Sequence, residues 1–151
     1  MPHLVLYQPD MPQNTGSMMR LCACLGVPMD IIEPCGFILD DKKLRRVAMD
    51  YIDHVIYQRH ASWEDFLAQK GEQRLVLLTT KAAQPYNEFT FQSNDLIMVG
   101  RESAGVPDDV HNAADARITI PMAPPMRSLN VALCASMVLG HALHTTAKNE
   151  T

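Results

Sequence analysis

The sequence predicts an α/β domain built on a largely parallel sheet, and three observations carry that expectation. Short apolar runs recur along the chain with helical patterns between them. The first 34 residues already read β-α-β, the arrangement that parallel strands require. No internal repeat or low-complexity linker divides the chain, so residues 1–151 are expected to form a single domain with a core of its own.

The elements follow in order. His3-Leu4-Val5-Leu6-Tyr7 is a short apolar run, as suits a strand buried on both faces. Gln8–Gly16, reading QPDMPQNTG, is a loop by its prolines, asparagine and glycine. Ser17–Leu25 returns to helical spacing, with Met18, Leu21, Cys22 and Leu25 inward and Gly26 as the stop. Met29–Glu33 is a second strand, ended by Pro34. Asp40 and Asp41 favour the start of a helix, and Lys42, Lys43, Arg45 and Arg46 then crowd four bases into five positions. Val55-Ile56-Tyr57 is a short strand, and Ser62 caps a helix opening at Trp63. Leu75–Thr80 and Leu96–Gly100 are further strands, with Ala82–Asp95 mostly loop between them.

The rest of the chain is organised around Arg117–Leu143. Ile118-Thr119-Ile120 reads as a strand, and Pro121, Pro124 and Pro125 hold the following backbone extended. Ser128 reads as an N-cap. A helix follows with Leu129, Ala132, Leu133, Ser136 and Met137 at helical spacing. Strand, stiff loop and capped helix together make a pocket wall with free backbone N–H groups at its rim, or simply finish a core.

Composition narrows the function. Hydrophobic residues make up 47% and charged residues 20%, ordinary for an α/β protein outside a membrane. No apolar run is long enough to span a bilayer and the N-terminus lacks a leader pattern, so a cytoplasmic location is expected. Cys22, Cys24, Cys35 and Cys134 contain no C-x-x-C pair and read as buried thiols. A net charge of −4 argues against a generic nucleic-acid binder, yet leaves room for a local basic patch at Lys42–Arg46; a plainly solvated helix face is the other reading.

Familiar motifs are missing. There is no G-x-G-x-x-G after the first strand, no P-loop lysine, and no H-E-x-x-H. Gly100 stands three residues before Ser103, not the two a nucleophile elbow needs. His141 and His144 share a helix face, which a solvated last turn explains without metal. Ligands of parallel sheets sit beyond the carboxyl ends of the strands, which directs attention to the connecting loops. Asn14-x-Gly16-x-x-x-Arg20 aims Arg20 back toward the preceding loop, unless it is only a surface arginine. Gly100-x-Glu102-x-x-Gly105-x-Pro107 is a loop where glycines admit a ligand to the backbone, or a plain strand-to-helix turn. Ser128-x-Asn130 lies at a helix start, as a site or as a simple cap.

These three motifs, in this order, resemble the SPOUT superfamily of methyltransferases, and within it the TrmL (YibK-like) tRNA 2′-O-methyltransferases. The resemblance extends over nearly the whole chain, through LVLYQPDMPQNTGSMMRLCA, IIEPCGF, DDKKLRR, DYIDH, LLTTK, LIMVGRESAGVP and IPMAPPMRSLNVA. It implies a C-terminal deep trefoil knot, an S-adenosylmethionine site within it, no metal, and a homodimer with the site near the shared interface. By motif position the cofactor residues would be Leu78, Thr79, Gly100, Glu102, Ile120, Met122, Ser128 and Leu129. Arg20, Ser128 and Asn130 would be catalytic. Asn14, Lys42, Lys43, Arg45, Arg46 and Arg127 would meet the RNA, an anticodon stem-loop. The implied reaction methylates the wobble ribose, on cytidine or a modified uridine, in leucine tRNA.

Two positions depart from the family pattern. Gly140 stands where many relatives carry a tyrosine in the last helix, and Arg101-Glu102-Ser103 replaces the frequent Pro-Glu-Thr. A methyltransferase of another RNA, a catalytically silent RNA- or cofactor-binding protein of the same fold, and a flavodoxin-like nucleotide binder are the rival readings.

Overall fold

In the computed structural model, which describes residues 1–149, six strands form one wholly parallel sheet. The strands are β1 (His3–Tyr7), β2 (Met29–Ile32), β3 (Tyr57–His60), β4 (Leu75–Leu78), β5 (Leu96–Val99) and β6 (Ala116–Ile118), in the spatial order β3-β2-β1-β5-β4-β6. β1 and β5 lie at the centre, and both are almost wholly buried because helices cover both faces.

Alternation along each strand divides the core in two. Leu4, Leu6, Met29, Ile31, Val76, Ile97 and Val99 face α1 (Pro12–Leu25), α2 (Asp41–Ala48) and α5 (Val131–Asn149). Val5, Tyr7, Ile32, Leu75, Leu77, Leu96 and Met98 face α3 (Trp63–Lys70) and α4 (Asp108–Ala113). Trp63 and Phe66 of α3 stack with centroids 5.7 Å apart, and Tyr7 meets Trp63 edge-on at 5.9 Å.

Several boundaries differ from the sequence expectation. α1 begins at Pro12, inside the stretch read as loop, because proline in a first turn forfeits only an N–H that has no partner there. Within it Met19 is fully buried while Leu25, expected inward, is 41% exposed. β3 starts at Tyr57 instead of Val55. Ile56 is 76% exposed, and the strand is held instead by pairing to β2 and by buried His60, whose ring lies 2.7 Å from an Asp30 carboxylate oxygen. β6 ends at Ile118, although Thr119 still forms a bridge to Pro85.

α5 begins at Val131, and its cap is Asn130, not Ser128. The Asn130 side-chain oxygen accepts from the backbone N–H groups of Ala132 and Leu133 at 2.9 and 3.3 Å. The buried face of α5 is Ala135, Val138, Leu139 and Ala142, whereas Leu129 (before the helix), Leu133 and Met137 point outward, 40–55% exposed. His141 is half-buried against Tyr86 and Phe91, not part of a frayed turn. Cys22 is buried but Cys24 is exposed, which corrects the uniform reading of the thiols. No helix among the described residues is long and apolar enough to cross a membrane.

Candidate active site

The carboxyl ends of β5, β4 and β6 lie side by side, and the loops leaving them enclose a cavity of about 450 Å³. β4 contributes Leu78 and the following Thr79. The loop after β5 contributes Gly100 and Glu102, and the segment after β6 contributes Ile120 and Met122. Ser128, Leu129 and Asn130 close it at the start of α5. All eight residues that the family motifs pointed to as cofactor contacts therefore line one cavity.

The loop after β5 is built for close approach. Arg101 and Gly105 exchange backbone hydrogen bonds at 3.0 and 2.9 Å, which folds the loop back on Gly100. A Cβ at Gly100 would stand 2.8 Å from the Gly105 carbonyl carbon, so only glycine fits. Arg101 also lies over the Tyr7 ring at 5.7 Å. The serine and arginine that replace the family's Thr and Pro thus have structural work: Ser103 Oγ donates to Asp10, and the Arg101 guanidinium donates to the Gly105 carbonyl.

Glu102 is tied across the chain to Asp10. The Glu102 N–H donates to Asp10 Oδ1 at 3.1 Å, and the Asp10 N–H donates to Glu102 Oε2 at 3.2 Å. Burial pushes the Glu102 carboxyl above the usual range, and the adjoining Asp10 adds to the rise. Asp10 moves the opposite way, held low by its hydrogen bond to Glu102. The two therefore titrate as a pair. Glu102 Oε1 is buried with no hydrogen-bond partner, an acceptor left over beside the cavity.

Asn14 belongs to the cavity more than to an outer surface. It is buried, and its side-chain oxygen accepts from Asn130 Nδ2 at 3.1 Å. Met11, Val131 and Cys134 also line the space and carried no sequence signal as ligand residues. Arg20 does not line it. It is exposed on α1 with its guanidinium 4.8 Å from the centre of the Tyr51 ring. Arg127 is exposed in the loop between β6 and α5. Of the four bases on α2, Lys42 and Arg46 are exposed and Lys43 lies 6.0 Å over the Phe37 ring. Arg45 is engaged twice by Asp53, at 3.0 and 2.8 Å.

The SpoU rRNA methylase family model matches residues 1–140. The chain belongs to that family. Among its relatives, the tRNA (cytidine(34)-2′-O)-methyltransferase of Beijerinckia indica is 61% identical over 142 residues, covering 93% of this chain and 89% of the relative. The enzyme of that name from Escherichia coli K12 is 41% identical over 144 residues, covering 94% and 92%. A solved structure described as giving insight into 2-OH methylation of C/U34 on tRNA superposes with a TM-score of 0.91 at 36% identity, covering 98% of this chain and 97% of that one.

Proposed function

We propose that this SpoU-family protein is an S-adenosylmethionine-dependent tRNA 2′-O-methyltransferase acting on the wobble ribose, at cytidine 34 or a modified uridine 34 of leucine tRNA. The observation that carries the reading is the convergence of Asn14 from the first family motif with residues of the second and third on one cavity. The relatives' names supply the substrate class.

The cavity suits the cofactor. It has apolar walls from Leu78, Ile120, Met122 and Leu129, a glycine cradle at Gly100, and the unpartnered Glu102 Oε1 to receive a donor. S-adenosylmethionine supplies an activated methyl group for transfer to the ribose oxygen. The chain's own residues hold and orient: Asn130 and Asn14 link the start of α5 to α1, and Ser128 sits beside them at the cavity. A guanidinium offers N–H donors and no acceptor, so Arg20 serves best as an anchor for an RNA phosphate that orients the 2′-hydroxyl. Lys42, Arg46 and Arg127 are exposed cations available for further phosphate contacts, and the anticodon stem-loop is the RNA part of suitable size.

A homodimer completes the proposal. One protomer leaves Arg20 outside its own cavity, and the outward side of α5 presents Leu133 and Met137 beside Leu129 and Met126, all 40% or more exposed. The C-terminal trefoil knot is part of the same reading. Calorimetric titration with S-adenosylmethionine tests the cofactor half: one saturable site per chain supports it, and no heat of binding sinks it.

A further inference from the structure

Two uncommon backbone features bring an aromatic ring beneath Arg20. α1 and α2 cross so closely that a Cβ at Gly16 would stand 2.6 Å from the Val47 carbonyl oxygen. Gly16 and Arg20 lie one helical turn apart, so this contact fixes the stretch of α1 that carries the arginine. Two residues beyond Val47, Met49 takes φ 57° and ψ −141°. A residue with a Cβ adopts that conformation only when its surroundings impose it. Met49 is itself 61% exposed, so packing of its side chain is not the reason. The effect is to turn the chain out of α2 into the 3-10 turn Met49–Asp53, where buried Ile52 anchors the turn and half-buried Tyr51 lies under the Arg20 guanidinium at 4.8 Å.

The arginine so held is uncommitted. Arg45, Arg59 and Arg74 each pair with a carboxylate, whereas no carboxylate among the described residues pairs with Arg20. A guanidinium over a ring loses rotational freedom yet keeps its N–H fork for an outside acceptor.

We propose that Tyr51 is a positioning residue for Arg20, its ring fixing the guanidinium in the pose that engages an RNA backbone phosphate. This rests on the role of Arg20 given above. The test is steady-state methyl transfer to leucine tRNA by Tyr51→Leu, Tyr51→Phe, Arg20→Ala and the Tyr51→Leu/Arg20→Ala double variant. Tyr51→Leu is expected to lower kcat/KM for tRNA about tenfold with cofactor affinity unchanged. Tyr51→Phe, which keeps the ring, recovers turnover. In the Arg20→Ala background, Tyr51→Leu adds no further loss. Additive losses, or a Tyr51→Phe defect as large as that of Tyr51→Leu, overturn the positioning role while leaving Arg20's intact. Full turnover by Arg20→Ala removes the underlying reading and this proposal with it.

Discussion

Asn130 Nδ2 donates to Asn14 Oδ1 at 3.1 Å across 116 positions of sequence, while the Asn130 oxygen caps α5. One side chain thus starts the last helix and fastens it to the first. Asn130→Ala is expected to lose both bonds and lower stability by roughly 1–3 kcal/mol, with weaker cofactor binding. Asn130→Asp separates the roles, since it retains the cap and cannot donate to Asn14. Thermal unfolding beside cofactor titration of both variants would distinguish them; equal stability of Asn130→Ala and the parent would refute the linkage.

Gly100→Ala places a methyl group 2.8 Å from the backbone at Gly105. The loop must open, and the cavity wall moves with it. Cofactor affinity is expected to fall by roughly tenfold or more, a change of about 1.4 kcal/mol, while the far-ultraviolet circular dichroism is retained. Unchanged affinity would show that the loop is not part of the cofactor wall.

Asp30 makes the fold acid-sensitive. Burial raises its pKa, but the His3 ring 3.8 Å away and the hydrogen bond to His60 at 2.7 Å outweigh that and leave the carboxyl below its ordinary value of 3.8. A depressed folded-state pKa contributes stability that is present above the unfolded value and lost as pH falls through the folded one. Stability should therefore drop on acidification below 3.8, and Asp30→Asn should flatten that limb. Urea midpoints across the acid range give the answer, and identical slopes for the two proteins would exclude Asp30 as the cause.

Gly140 lies within α5, exposed, and a Cβ there meets nothing within 4 Å. Gly140→Ala is expected to stabilise the protein by about 0.5–1 kcal/mol through helix propensity alone. Gly140→Tyr, which restores the side chain common in relatives, meets no neighbour at its Cβ. A lower unfolding midpoint for Gly140→Ala would mean that another surface packs against this position.

What could be read from sequence follows what is local. The apolar runs of β1, β4 and β5, the helix start at Asp40 and Asp41 and the cap at Ser62 are legible because each depends on neighbours within a few residues. The lining of the cavity is legible through family motifs, not through periodicity. The Asp10–Glu102 pair was not, since its partners lie 92 positions apart and neither residue type announces the other. Ser128 misleads as a cap because two cap-type residues, Ser128 and Asn130, crowd one helix start, and only the backbone decides which one reaches the free N–H groups. The committed state of Arg45 and the ring beneath Arg20 are tertiary facts that charge patterning cannot supply.

The most direct test is methyl transfer from labelled S-adenosylmethionine to leucine tRNA, with the modified nucleotide mapped. The account predicts a single 2′-O-methyl group on nucleotide 34, formed by Arg20→Ala at only a small residual rate and without loss of cofactor binding. A methyl group on a base, on a ribose elsewhere, or equal transfer by Arg20→Ala would contradict it.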